Sequence, residues 1–427
     1  MRIGVVPSLD RGGGGIYQYS VTLLSVLPDA LGHADDLIVF LYGGETLPDD
    51  LIAPEIPVVE MRAARGLVGA VWYRLASVLP GGVRTRVRRA LGRTRDARTH
   101  DDHAGRQPVD TGWKAFFEAR GVDLLLFTAD SDLAFRSGLP YIVAIHDIQH
   151  RLQPEFPEVS ADGEWERREY RIGNCVRFAT GVLVDSAVGK EDILATYAPD
   201  EDTVSIVPFV PASYLREHVS PGQVDRVRAE HRLPERFVFY PAAFWPHKNH
   251  LRIVEAIAGL RRDGLDIPIV LVGANGGSAL RSDTFTEVMA AAHELGVEDL
   301  VLYLGYVEDA AMSVLYAEAD ALVMPTFFGP TNIPVVEAFK FGCPVVTSDI
   351  RGIREQVGDA AVLVDPRSAP SIGDGIRRVW TEPLLAASLT EAGHAHLAAY
   401  SHEDFTARIR EALDRARPRI TPIGEPR

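Results

Sequence analysis

PTFFGPTNIPVVEAFKFGCPVVTSD, residues 325–349, decides how this sequence is read. Just before it, Ala321 to Met324 is a short apolar run with the length and content of a buried strand. The chain then turns through Gly329, Pro330, Thr331 and Asn332. Helical spacing starts near Ile333, carries Val336, Glu337, Ala338 and Phe339, and stops at Gly342; Pro344 to Thr347 follows as the next strand. Strand, glycine-bearing loop, helix and strand make a parallel α/β unit. Its loop suits an anion, because the first turn of a helix has four backbone N–H groups without helical partners and the dipole favours negative charge there. Thr331 and Asn332 lie at that helix start, and Glu337 is the first acidic residue beyond it, about one turn in.

The rest of the composition bounds the answer. A chain of 427 residues is too long for one ordinary core, so two domains are expected, and 24% charged with 46% hydrophobic residues is globular. A formal net charge of -15 argues against a general nucleic-acid binder, which needs a basic surface for phosphate. The two cysteines, Cys175 and Cys343, are far apart and suggest neither a disulfide framework nor a cysteine metal site. Pro7 and Asp10 break the first apolar run, and no run of 18 apolar residues follows, so a cytoplasmic protein is expected.

Outward from residues 325–349 the same grammar repeats. Ile3 to Val6 reads as a first strand feeding Gly12, Gly13, Gly14 and Gly15, after which Ile16, Tyr17, Tyr19, Val21, Leu23, Leu24 and Leu27 take helical spacing. That geometry lets backbone approach a phosphate, although a glycine run also fits a plain flexible turn. No G-x-G-x-x-G occurs here, so it is not the dinucleotide fingerprint. Leu37 to Leu41, Asp123 to Phe127 and Tyr141 to Ile145 are further strands, the last ending in His146 and Asp147. An imidazole at the carboxyl end of a central strand lies where open α/β sheets bind ligands; a structural histidine is the alternative. Gly181 to Val184 ends at Asp185 and Ser186, with Ser186 an N-cap for Ala187 to Tyr197. Val204 to Val207 closes this half, and the linker is placed between about Pro208 and Glu235. The second half opens with Phe237 to Tyr240 and then Lys248, just before a helix from near Leu251, well placed for a diphosphate. Ile267 to Val272 with Gly273, and Leu300 to Leu304 with Tyr306 and Val307, add strand and loop units, and Ala361 to Val364 ends the sheet. Ser401 starts a final helix to about Arg415, and the tail after Ala416 is expected to be disordered.

One segment departs from this pattern. Between about residues 61 and 107 the chain is strongly basic, and from Arg84 to Arg98 arginines alternate with Val83, Val87 and Leu91 at helical spacing. It reads either as an amphipathic helix that touches an anionic membrane surface or as a solvated lid, and the sequence leaves both open.

At residues 325–349 the sequence resembles family 4 of the retaining glycosyltransferases, in particular a subgroup with FGPTN in the donor-site turn, Phe328 to Asn332 here. The resemblance spans essentially the whole chain except the basic insertion. It implies an α/β fold of the type called GT-B, two doubly wound Rossmann-like domains facing a cleft. An acceptor-side domain would span 1–210, a donor domain 235–400, and the helix 401–416 would return to the first domain. It implies a nucleotide sugar as co-substrate, GDP-mannose first among donors, with no cofactor and no metal, and a hydroxyl acceptor in glycan, lipid-linked saccharide or glycosylated-metabolite synthesis. The protein would then be cytoplasmic, peripheral to the inner membrane face if Arg84 to Arg98 binds it. By the same resemblance Glu337 grips the donor ribose, His146 and Asp147 lie by the transferred sugar, and Gly13, Gly14, Gly15, Lys248, Thr331 and Asn332 serve the diphosphate. Gly273, Tyr306 and Val307 would touch the base. Two departures stand out: the family's first glutamate falls on Gly329, and its usual arginine falls on Ala242. They motivate one alternative, a non-catalytic nucleotide-sugar binder; a second, a nucleotide-sugar 2-epimerase, shares the fold but has no separate acceptor, and the Gly12 to Tyr17 loop and the FGPTN turn speak against it. Asp130-Ser131-Asp132 looks like the metal-binding motif of the other glycosyltransferase architecture but is read as a loop.

Overall fold

The computed structural model describes residues 1–10, 14–32, 35–48, 51–61, 107–212, 215, 219–398 and 400–420. Gly13 and the basic stretch Arg84 to Arg98 lie outside the described residues. Two wholly parallel sheets organise the chain. The first contains β1 (Arg2–Val6), β2 (Asp36–Tyr42), β3 (Val58–Met61), β4 (Leu124–Phe127), β5 (Tyr141–Ala144), β6 (Gly181–Val184) and β7 (Val204–Ile206), in the order β3-β2-β1-β4-β5-β6-β7. The second contains β8 (Val238–Pro241), β9 (Ile269–Val272), β10 (Val301–Gly305), β11 (Ala321–Met324), β12 (Val345–Ser348) and β13 (Ala361–Val364), in the order β10-β9-β8-β11-β12-β13.

The registers are those of doubly wound sheets: Ile3 pairs with both Leu37 and Leu124, and Leu322 with both Phe239 and Val345. Central strands such as LLLF and YIVA are buried along their whole length, because helices cover both faces of a parallel sheet. In each sheet the strand order reverses beside the first strand, between β1 and β4 and between β8 and β11. Loops leaving the carboxyl ends at such a reversal diverge and open a crevice. The loops after β1, β8 and β11 all leave from these points, so the topology by itself selects the glycine loop, Lys248 and residues 325–332.

One core fills the second sheet and its helices; two others lie on opposite faces of the first. The helix His402–Ala416 belongs to the first sheet: Phe405, Ile409 and Leu413 pack there with Leu23 and Leu27 of the helix Gly15–Ala30. Two expectations need correction. The supposed linker contains the helix Pro221–His231, closed by a full capping box between Ser220 and Gln223, and its Val227 joins the second core. The tail after Ala416 is ordered as far as Ile420, because Arg417 pairs with Asp35 and Arg419 donates to Thr203 Oγ1 at 2.8 Å.

Candidate active site

The helix Ile333–Lys340 begins at Asn332 without a side-chain cap. Gln356 instead grips the backbone of Asn332 from both sides: the Asn332 N–H donates to Gln356 Oε1 at 2.9 Å, and Gln356 Nε2 donates to the Asn332 carbonyl at 2.9 Å. The Asn332 side-chain amide nitrogen is buried and has no partner. Gly329, at φ 134°, lets the turn pass close over Asn332, since a Cβ there would lie 2.9 Å from Asn332 Oδ1.

Lys248 is fastened to the same turn. On one side of it the His247 carbonyl accepts from Phe327 N at 2.8 Å and Thr326 Oγ1 at 3.1 Å; on the other, Asn249 Nδ2 donates to the Pro325 carbonyl at 2.7 Å. The loops after β8 and β11 are thereby joined, and a half-buried ammonium is held where they meet. Burial brings the Lys248 pKa down to about 8, while the charges of Asp147 and Glu158 work against that. Most of the ammonium is still charged at neutral pH.

Across the seam lie β5 and β6 of the first sheet. His146 Nε2 is 2.8 Å from the Thr128 carbonyl, and since a carbonyl only accepts, Nε2 carries the hydrogen and Nδ1 is left as an acceptor. Burial lowers the His146 pKa against the raising effect of the Thr128 bond and of Asp130 and Asp147, so the ring is neutral. Tyr19 meets it edge-on at 4.7 Å. Asp147 pairs with Arg168 and accepts from Gln149 N at 2.8 Å. Burial raises the Asp147 pKa, but the Arg168 charge and the Gln149 bond outweigh it and keep the carboxylate below its ordinary range. Gly14, at φ 55°, starts the helix Gly15–Ala30 without a side-chain cap, and a Cβ on Gly15 would come 3.5 Å from Ile333 Cδ1. Two uncapped helix starts, one from each sheet, therefore meet at the seam.

Several contacts that sequence reasoning did not foresee bind the two halves. Thr331 Oγ1 donates to Asp185 Oδ2, and Glu158 Oε1 accepts from both the backbone N–H and Nδ1 of His247, at 3.0 and 2.6 Å. Gln153 Nε2 donates to the Phe327 carbonyl at 3.0 Å. Asp185 is 4% exposed, and burial pushes its pKa up to about 7 against the bonds from Thr331 and Ser186. No local pattern marks such long-range pairs; the only signal was the polar Asp185 at the end of a buried strand.

The remaining expected residues are placed as follows. Glu337 is buried: Tyr316 donates to its Oε2 at 2.6 Å, its Oε1 has no partner, and burial raises its pKa to about 7. Gly273, at φ 146°, lies against Ala242, where a Cβ would be 2.2 Å from the carbonyl oxygen, and its N–H donates to the Gly305 carbonyl at 3.0 Å. Tyr306 is 72% exposed and Val307 is buried; both lie in the loop that follows β10. Asp130 pairs with Arg171, and Ser131 caps the short helix Asp132–Arg136, which is the loop reading of that motif. Among the described residues no group of three or more His, Cys, Asp or Glu is arranged to hold a metal ion. Likewise no described helix is long and apolar enough to cross a membrane.

Comparison with known proteins bears on this geometry. Residues 223–396, which hold Lys248, the turn and Glu337, match the family model described as glycosyl transferases group 1. This segment is a group 1 glycosyl transferase domain. The O-antigen chain mannosyltransferase B of Escherichia coli is 28% identical over 190 residues, 44% of this chain and 48% of that protein. The D-inositol 3-phosphate glycosyltransferase of Corynebacterium glutamicum is 24% identical over 272 residues, 62% of this chain and 63% of that protein. The matched stretches thus span about half to under two thirds of these relatives. Among solved structures, Anabaena HepE in complex with UDP-glucose superposes with a TM-score of 0.69 at 18% identity, covering 97% of this chain and 99% of that one. A glycosyltransferase from Rickettsia africae gives 0.66 at 16%, covering 98% and 97%. The fold of the group 1 domain and its partner sheet is GT-B.

Proposed function

We propose that the chain is a retaining glycosyltransferase that moves a sugar from a nucleotide-sugar donor to a hydroxyl acceptor. The observation that carries this reading is the convergence of Lys248 with the uncapped helix start at Asn332, stitched together by the bonds of His247 and Asn249 and met across the seam by the start of the helix Gly15–Ala30. Cationic and N–H groups fixed in advance around one point stabilise a departing diphosphate without reorganising during the reaction. Asn332 Nδ2 and Glu337 Oε1, buried and unpartnered, are a donor and an acceptor awaiting a polar ligand, which supports diphosphate and ribose contacts respectively. His146 offers Nδ1 as an acceptor for a sugar hydroxyl, on a ring whose orientation Thr128 fixes.

GDP-mannose is the first donor to test, because two relatives are named O-antigen mannosyltransferases. The acceptor is a hydroxyl compound, and a lipid-linked saccharide is compatible with the basic segment Arg84 to Arg98. The test has two parts. Thermal shift of the purified protein against GDP, UDP, ADP and dTDP should single out one nucleotide, since a ligand bound only by the folded state raises its stability. Incubation with the matching nucleotide sugar should then release nucleotide, and the sugar first formed should have the donor's anomeric configuration by NMR. Absence of any nucleotide-dependent shift overturns the reading; release of an inverted sugar overturns retention alone.

A further inference from the structure

Beyond the groups that would hold the diphosphate, a cavity of about 270 Å³ lies on the seam between the two halves. The helix Ala187–Tyr197 of the first half contributes Val188 and Asp192 to it; Phe328, Gly329, Arg351 and Arg367 come from the second. A smaller hollow beside it is lined by His146 and Asp147 and shares Asp192, Phe328 and Pro330 with the cavity. Asp192 and the turn thus form a common wall, with the His146 hollow on one side and the cavity on the other. We propose that this cavity is a subsite for the neutral saccharide ring of the acceptor, with Asp192 and its partner Arg351 setting its specificity; this rests on the transferase reading given above.

The chemistry of the lining selects the ligand class. Phe328, Val188 and Leu152 supply an apolar wall of the kind that packs against the C–H face of a pyranose, and carboxylate and guanidinium groups at the rim exchange hydrogen bonds with hydroxyls. Charge decides against an anionic ligand. Three carboxylates line the cavity, Asp192, Asp349 and Asp365, against two guanidiniums, Arg351 and Arg367. Arg351 is committed to Asp192 and to Glu191 at 2.7 Å, and Asp349 to Arg354 at 2.6 Å. Asp192 is held in place by Arg351, and its side chain is 14% exposed, so its lone pairs are oriented before a ligand arrives.

The experiment uses the full chain saturated with GDP, and methyl α-D-mannopyranoside and methyl α-D-glucopyranoside as probes, read by saturation-transfer NMR. The wild type should pass saturation to ring protons of at least one glycoside. Val188→Phe, which fills the cavity, should abolish it. Asp192→Asn, which keeps the shape, should weaken the glycoside at least about tenfold, the cost of losing a charge-assisted hydrogen bond. The GDP thermal shift should be the same in all three proteins, which separates this idea from the nucleotide reading and shows that the variants fold. Absence of saturation transfer in the wild type, or its persistence in Val188→Phe, overturns the proposal. So does loss of the signal when GDP-mannose replaces GDP, which would give the cavity to the donor sugar.

Discussion

Replacing Asp185 by asparagine should change how stability depends on pH. The carboxyl is buried at the seam, and folding moves its pKa from an ordinary 3.8 to about 7. A raised folded-state value means that the folded chain binds the proton more tightly than the unfolded one. The stability linked to this group is therefore fully present below about 4 and is lost as pH rises towards 7. Each tenfold change in proton affinity is worth about 1.4 kcal/mol, so the loss is about 1.4 kcal/mol per pH unit and about 4 kcal/mol over the whole window. Between pH 5 and 7 alone it is about 3 kcal/mol by the same arithmetic. Asparagine keeps an oxygen for Thr331 and Ser186 but does not titrate. Urea unfolding followed by tryptophan fluorescence at several pH values between 5 and 8 should show Asp185→Asn overtaking the wild type as pH rises, with other titrating groups cancelling in the difference. Parallel curves for the two proteins would refute the picture of a carboxyl held neutral between the two halves.

Other perturbations test separate parts of the site. Glu337→Ala should weaken nucleotide binding at least about tenfold by calorimetry, since a carboxylate that accepts ribose hydroxyls contributes about 1.5 to 3 kcal/mol per bond. His146→Ala should depress turnover of the nucleotide sugar far more than affinity for the free nucleotide if, as proposed, the Nδ1 that the Thr128 bond leaves as an acceptor takes a sugar hydroxyl; equal losses in both would move it to the diphosphate. Gly273→Ala should cost about 3 kcal/mol or more in thermal unfolding, since its φ of 146° and the 2.2 Å approach to the Ala242 carbonyl leave a Cβ no place. Cosedimentation with anionic vesicles at low salt, lost at high salt and absent with neutral vesicles, is the outcome expected if Arg84 to Arg98 docks on a membrane; each cation near such a surface is worth roughly 1 kcal/mol.

Where the sequence was legible, local chemistry was strong. β6 and β13 were readable to the residue because buried parallel strands are uninterrupted apolar runs, and Ser186 was readable as an N-cap because Gly189 N does bond to its hydroxyl. The turn at Gly329 and the helix from Ile333 were visible for the same reason. The helix Pro221–His231 was missed because it is polar and its prolines look like linker, although Ser220 and Gln223 spell a capping box. The ordered end at Arg417 and Arg419 was missed because arginines beside proline look solvated, and the partners that fix them, Asp35 and Thr203, are hundreds of residues away. The joining of the halves was illegible altogether. Glu158 with His247, Asp185 with Thr331 and Gln153 with Phe327 are matched by shape in space, and neither member of any pair carries a mark of the other.

The return of the last helix to the first sheet has a mechanical consequence. The chain passes between the two bodies twice, once after Ile206 and once before His402, so the second body hangs from two tethers rather than one. A single tether would let it swivel in any direction, whereas two confine it to opening and shutting about the line that joins them. A protease cut near residue 219 would sever one tether and leave the pieces coupled through the other. A chain stopped at residue 400 would instead strip Phe405, Ile409 and Leu413 from the first body and bare the apolar flank of Gly15–Ala30. The glycine loop's helix would then lose its backing at the end farthest from the gap it guards.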